Sequence, residues 1–291
     1  GDELVLSTSQ EPARIAEGEV TTIGCTIPEV VTALEVGHAV IFDDGAISGR
    51  VTEIRTQGED REAVIAIEHA GPNGTNLAAY KGINLPETDI PLPSLTEEDI
   101  AALKFVATHC DIAAVSFIRT PDDVSFLYDT LDDIAAAQDS EDMAQHVRNL
   151  GVVLKIETVP AYEQLGSVLL EGMRHEKFGI MIARGDLAVE LGFERMVQVP
   201  GRIMKLAEAA HIPVIMATQV LETLAKTGLP SRAEITDAGY ALRAECVMLN
   251  KGPHITEAIQ ILDRMSRKLG RSRLKNRQML RQVGSWTHPN G

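Results

Sequence analysis

Lys155 and Glu157 stand two residues apart at the end of an apolar run, GVVLKIE (151–157). On a β-strand that spacing points both side chains to one face. The pair is then either a surface ion pair worth little or the charged part of a site. A second packet of charge lies in GIMIARGDLAVELG (179–192). There a buried-strand pattern ends in Arg184, Gly185 and Asp186, with Glu190 four residues later. Glu157 and Asp186 come from neighbouring strand ends. Two such carboxylates suit Mg²⁺, which takes one or two and keeps positions for substrate oxygens. The alternative is that both cap the helices that follow. Gly185 leaves the backbone N–H groups of a helix start open to an anion. Thr218, closing PVIMAT (213–218), is a proton relay or a capping hydroxyl. Glu234 completes a capping box with Ser231.

The elements that must position these residues follow from pattern. From about residue 95 the chain alternates between helical and strand signals. Thr96 with Asp99 opens a helix reaching about His109. Thr120-Pro121-Asp122-Asp123 opens another, with a capping hydroxyl, Pro at the first position and acids in the first turn. The strand runs are IAAVSFI (112–118), GVVLKIE, FGIMIA (178–183), PVIMAT and CVMLN (246–250). A last helix over 254–269 shows Ile255, Ala258, Ile259, Leu262, Met265 and Leu269 at helical spacing. Continuous apolar strands alternating with helices indicate a parallel α/β sheet. A doubly wound sheet and a (β/α) barrel both fit, and five units are too few to close an eight-stranded barrel. In either architecture the chemistry sits at the C-terminal ends of the strands. Those ends carry Ser116 and Arg119, Lys155 and Glu157, Arg184 to Asp186, Thr218 and Gln219, and Asn250 and Lys251.

Residues 1–89 differ. Short strand-like runs are separated by turn signals, Asp44-Gly45 among them, as in a small β-barrel or sandwich. INLPETDIPLPS (83–94), with three prolines, reads as an extended linker. The expected organisation is a small β domain at 1–89, an α/β domain at 90–269 and a basic tail at 270–291. The tail carries Arg271, Arg273, Lys275, Arg277 and Arg281 and reads as a solvated terminus.

Composition narrows the function classes. Hydrophobic residues are 44% and aromatics 4%, so the core is expected to be aliphatic. The formal charge of −15 argues against a nucleic-acid or anionic-membrane binder. No apolar run is long enough to span a bilayer. Three distant cysteines, Cys25, Cys110 and Cys246, show no metal or disulfide spacing, and read as small buried hydrophobes in a reducing cytoplasm. The opening GDELVLSTS, without an initiator Met, reads as mid-protein strand, so a preceding portion is expected.

These motifs together resemble pyruvate kinase, from residue 1 to about 265. GDELVLSTS, IFDDGAIS and KGINLP are similar to that family's lid domain. LPSLTEEDIAALKF, AVSFIRTPDDV, LKIE, GIMIARGDLAVELG, PVIMATQVLE and PSRAEITD are similar to the barrel that follows, in the family's order. The resemblance implies a partial (β/α)8 TIM barrel, its last five strands, with an inserted small β-barrel lid. It implies the glycolytic transfer of a phosphoryl group from phosphoenolpyruvate to ADP, giving pyruvate and ATP. Lys155 would stabilise the moving phosphoryl group and the enolate oxygen. Glu157 and Asp186 would hold Mg²⁺ or Mn²⁺. The backbone of Gly185 and Asp186 would hold the substrate carboxylate, in a loop shaped by Ala183 and Arg184. Thr218 would stand on the enolate face that receives a proton. Lys81 would reach the nucleotide phosphates, and Asp44 would face the cleft from the lid. K⁺ is implied as well, with ligands and a phosphate-contacting arginine in the three strands that precede the lid. No nucleic-acid or membrane partner is implied, and homo-oligomerisation stays open.

Two departures from the family pattern bear on function. NKGPH (250–254) stands where the family has SGETA, and NLPE, with Glu87, where it has NLPG. Where the family has a C-terminal allosteric domain, the resemblance leads us to expect only the short basic tail. Two further functions therefore stand beside the phosphotransferase. One is a metal-dependent lyase or aldolase acting on a pyruvate-type acid. The other is an inactive, ligand-binding regulator.

Overall fold

A computed structural model describes residues 2–13 and 20–277. The chain divides into two units, Gly1–Val214 and Ile215–Gly291.

In the first unit, strands β1 (Glu3–Ser7) and β2 (Thr21–Gly24) precede helix α1 (Pro28–Ala33) and strand β3 (Ala39–Phe42). A 3₁₀ turn at Asp43–Gly45 leads to β4 (Ile47–Gln57), β5 (Asp60–His69) and β6 (Ile83–Asn84). The six strands form one sheet in the order β2-β1-β5-β4-β3-β6. Only β1 and β2 pair in parallel. β4 shifts register twice against β5, and such bulges bend and twist a strand. The core against this sheet buries Leu6, Val40, Phe42 and Ile65, and α1 adds Val30 and Val31. Pro28 pre-sets the first turn of α1. Each fully buried aliphatic side chain contributes about 1.5–3 kcal/mol. The departure at Glu87 ties down this sheet: its Oε2 accepts the Ala39 N–H at 3.0 Å and pairs with Arg50 at 3.3 Å.

The same unit continues with α2 (Glu97–His109), β7 (Ile112–Val115), α3 (Pro121–Ala136), α4 (Glu141–Arg148) and β8 (Gly151–Ile156). Then come α5 (Val159–Glu163), α6 (Leu165–Gly172), β9 (Phe178–Ala183), α7 (Arg184–Leu191), a 3₁₀ turn and α8 (Val199–Ala209). β7, β8 and β9 pair in parallel. β8 is buried along its whole length except at half-buried Lys155, as expected of a strand covered on both faces. The capping boxes at Thr96–Asp99 and Thr120–Asp123 both form. Arg119, read as a strand-end residue of the site, instead donates to the linker carbonyls of Ile90 and Leu92 and pairs with Asp123. It anchors the proline-rich segment.

The second unit begins within β10 (Val214–Val220), at Ile215, and continues with α9 (Glu222–Thr227), α10 (Arg232–Ala241), β11 (Cys246–Leu249) and α11 (Ile255–Arg277). β10 and β11 are parallel, with a register shift between Met216 and Val220. Thr218, Gln219 and Leu221 all have positive φ there, so the strand kinks at the candidate proton relay. The Ser231–Glu234 capping box forms, and Glu234 Oε1 also accepts the Thr223 N–H at 2.5 Å, joining the starts of α9 and α10.

Several expectations change. The strand expected over 112–118 stops at Val115, because Phe117 turns left-handed at φ 55. The helix expected up to Gly172 breaks at Gln164. Helices α1 and α4 form where no helix was expected. Ile259, placed on a buried stripe, is exposed, as is Cys246. Helix α11 extends into the basic tail as far as Arg277, and Arg281 lies outside the described residues. Among the described residues no helix is long and apolar enough to cross a membrane.

Candidate active site

Lys155 and Glu157 meet as their spacing predicts. Lys155 Nζ lies 2.9 Å from Glu157 Oε2 and donates to Ser116 Oγ at 3.0 Å. This is no surface pair, because the Glu157 side chain is 0% exposed. The other carboxylate oxygen, Oε1, accepts the backbone N–H of Phe117 at 2.8 Å. The end of β7 and the end of β8 are thereby laced together. The Phe117 ring centroid stands 5.9 Å from Lys155 Nζ, at the outer limit of a cation–π contact.

Burial pushes the Glu157 carboxyl above the ordinary carboxylate range. The hydrogen bond from Phe117 and the ammonium of Lys155 oppose that shift, and the charge of Asp186 adds to it. Asp186, half-buried in the first turn of α7, is thus close enough for its field to act on Glu157. Ala183 precedes α7 and has no side-chain oxygen with which to cap it. Orphan donors at a helix start favour an anion. Arg184 and Gly185 occupy the first two positions of α7, both half-buried.

Glu157 Oε2 is the oxygen best placed to meet a divalent metal. This buried oxygen has no hydrogen bond of regular geometry and faces only the Lys155 ammonium. Its carboxylate and that of Asp186 provide hard oxygen donors in a place where burial penalises negative charge. Among the described residues no group of three or more His, Cys, Asp or Glu gathers to cage a metal unaided. Two carboxylates nonetheless suffice for Mg²⁺, which keeps several waters or substrate oxygens. The residues fit the ion.

Lys81 does not stand free beside this group. Its Nζ pairs with Asp43 Oδ1 at 2.9 Å, and that partner raises the lysine's pKa. Asp44, the neighbour expected to face the cleft, holds a left-handed backbone at φ 54 within the 3₁₀ turn. The turn abuts α7: a Cβ on Gly45 would lie 3.8 Å from Phe193 and 3.9 Å from Val189. Thr218 belongs to the second unit, where its φ is 72. Within the first unit the structure brings together Lys155, Glu157 and Asp186. It adds Ser116, noted in the sequence only as a strand end, and the Phe117 N–H, which no residue-type pattern reveals.

The family model for the pyruvate kinase barrel domain matches residues 1–254. A pyruvate kinase of Methylorubrum extorquens is 31% identical over 94% of this chain, which covers 52% of that protein. One from Thermococcus litoralis is 30% identical, with 94% of this chain and 54% of that protein covered. The chain spans about half the length of these curated relatives. The crystal structure of a pyruvate kinase from Cryptosporidium parvum superposes with a TM-score of 0.74 at 25% identity, covering 91% of this chain and 51% of that one. The alternating strands and helices are therefore part of a (β/α)8 barrel, and the chain belongs to the pyruvate kinase family.

Proposed function

We infer that the chain carries the phosphoryl-transfer half-site of a pyruvate kinase, converting phosphoenolpyruvate and ADP to pyruvate and ATP. The observation that carries this reading is the Ser116–Lys155–Glu157 cluster beside Asp186. Phosphoryl transfer needs little covalent work from the protein; it needs alignment and stabilisation of charge. Lys155 supplies a fixed ammonium, held by Ser116 and Glu157 so that no reorganisation is needed when negative charge arrives. The N–H groups at the start of α7, Gly185 and Asp186 among them, bind the substrate carboxylate, with Ala183 and Arg184 shaping the turn. Glu157 and Asp186 would hold Mg²⁺ or Mn²⁺, which when bound supplies Lewis-acid stabilisation of phosphoryl and enolate oxygens. Thr218 holds the proton delivered to the enolate carbon.

Residues 1–89 act as the lid over residues 90–269. Lys81 exchanges its Asp43 partner for nucleotide phosphates, and Asp44 faces the same cleft. Exclusion of water follows, since water competes with ADP as acceptor. The protein is placed in the cytoplasm, and K⁺ dependence comes with the family reading.

The test is coupled measurement of pyruvate formation from phosphoenolpyruvate, ADP and Mg²⁺, with Lys155→Met as control. Turnover that Lys155→Met leaves unchanged overturns the role of Lys155. Mg²⁺-dependent ADP binding, read by calorimetry, counts against a lyase. Ligand binding without turnover marks a regulator.

A further inference from the structure

Tyr80 is 99% exposed, more than any other large hydrophobic side chain among the described residues. Its backbone is left-handed, φ 62. A tyrosine rarely takes that conformation, and glycine would take it without strain. Strain of this kind collects where function holds it. Packing does not explain the ring, since almost none of its surface is covered. Its place in the chain is nonetheless well defined. The next residue is Lys81, whose Nζ pairs with Asp43 Oδ1 at 2.9 Å. The Gly82 carbonyl accepts the Asp43 N–H at 3.0 Å. Ile83 and Asn84 form β6 along β3, and buried Asn84 donates to Glu190 Oε1 of α7 at 3.2 Å. The Asp43–Gly45 turn meets α7 at Val189 and Phe193. Residues 81–84 are thus fastened to β3, to the turn and to α7, and Tyr80 stands at the free end of that stretch.

We propose that Tyr80 is the platform on which the base of the nucleotide stacks while Lys81 takes its phosphates. A nucleoside diphosphate joins a flat π-face to a chain of negative charge. A flat exposed ring and an ammonium on consecutive residues match those two parts. Stacking takes one face of the ring and one face of the base out of water together. It reads the π-face and not the edges of the base. The contact therefore favours a nucleotide over bare phosphates and chooses little among bases. The platform rests on the reading of Lys81 as a nucleotide-binding residue and adds to it the group that holds the other end of the same ligand.

The test compares the binding of ADP with that of pyrophosphate, which has the phosphates and no base. Both are titrated with Mg²⁺ into the full 291-residue chain and read by calorimetry. Tyr80→Ala should weaken ADP about tenfold and leave pyrophosphate unchanged. Tyr80→Phe should keep the ADP affinity, because the face of the ring and not the hydroxyl makes the contact. Tyr80→Gly separates the ring from the backbone: it takes φ 62 without strain, yet should bind ADP as poorly as Tyr80→Ala. The chain has four tyrosines, and Tyr80→Phe identifies the Tyr80 ring protons by their loss from the spectrum. In wild type those protons should shift with ADP and not with pyrophosphate. An ADP affinity that Tyr80→Ala leaves unchanged, a loss that pyrophosphate shares, or a Tyr80→Phe as weak as Tyr80→Ala each overturns the platform. Wild type that binds pyrophosphate as tightly as ADP overturns it as well. Wild type that binds neither ligand overturns the nucleotide reading of Lys81 and the platform with it, so the two failures are separate results.

Discussion

Phe117 donates its N–H to Glu157 Oε1 from a left-handed backbone, φ 55, that a bulky residue rarely adopts. The strain is local and aims one donor at the fully buried carboxylate. Phe117→Gly should keep that donor and relieve the strain, which costs about 1–3 kcal/mol. The ring is 53% exposed, so little burial is lost with it. Denaturant unfolding of Phe117→Gly should therefore match or exceed wild type. Phe117→Pro, which lacks the N–H and cannot take φ 55, should be destabilised by several kcal/mol. A Phe117→Pro variant as stable as wild type would remove the hydrogen bond from the argument.

Lys155 is the ion-pair partner of a carboxylate whose side chain is 0% exposed. Lys155→Met should cost about 3–5 kcal/mol at neutral pH, the usual result of unpairing a buried charge. Replacing both members by Met and Gln should recover part of that loss, because no charge is then buried. The check is a double-mutant cycle by urea unfolding at one pH. Simple additivity of the two substitutions would show that the pair does not interact.

What the sequence discloses and what it hides divide along a physical line. Local chemistry is legible: Thr96–Asp99, Thr120–Asp123 and Ser231–Glu234 each cap as their spacing predicts, because both partners lie within one turn. Ser140 caps α4 just as locally, its Oγ accepting the Met143 N–H, although no acid stands at the third position to close a box. The Lys155–Glu157 pair is legible because strand geometry fixes a two-residue spacing. The Phe117 N–H, the Arg119 anchor and the Asn84–Glu190 bond are not, since each depends on backbone groups or on partners 27 to 106 residues away. The pairing of Lys81 with Asp43 rather than Asp44 is of the same kind. Either acid satisfies the pattern, and the left-handed turn decides between them.

Glu190 gives the protein a pH dependence of definite sign. Burial raises its carboxyl pKa in the folded state; the hydrogen bonds from Asn84 and Val159 oppose this, and the charges of Asp186 and Glu157 add to it. The folded protein then binds a proton more readily than the unfolded chain, so the contribution to stability is fully present below the ordinary value of 4.5 and is lost as pH rises through the folded value. Glu190→Gln should flatten the stability profile across that window, and the difference from wild type should grow in the mutant's favour toward neutral pH. Parallel profiles by urea midpoint would place the titration elsewhere.

Glu157 and Asp186 should make the fold sensitive to Mg²⁺ or Mn²⁺. An ion bound only by the folded state raises stability by about 2.7 kcal/mol at a hundred times its dissociation constant. Thermal unfolding should therefore shift upward with Mn²⁺ in wild type and should not shift in Asp186→Asn. Manganese affinity by electron paramagnetic resonance should fall at least about 100-fold, beyond what loss of an outer-shell partner alone costs. An undiminished Mn²⁺ shift in Asp186→Asn would assign the metal to other ligands.

The divergent loop 250–254 owes its course to one close approach. A Cβ at Gly252 would lie 2.1 Å from the Ala225 carbonyl oxygen and 2.5 Å from its carbon, both backbone atoms that cannot swing away. The same carbonyl accepts the His254 N–H at 3.0 Å, so the clash falls on the bond that fastens the loop to α9. Gly228, which ends α9 at φ 83, lies directly under the His254 ring. Gly252→Ala must therefore move either the loop or the helix end, and should cost about 1–3 kcal/mol. Gly37→Ala, at φ 97 but with open space around it, isolates the strain of a left-handed backbone from steric collision. Gly252→Ala should lose more stability than Gly37→Ala and should raise amide exchange at His254 and along Glu222–Thr227. If the two substitutions cost the same and the exchange at His254 does not change, the contact between the loop and α9 is not what holds NKGPH in place.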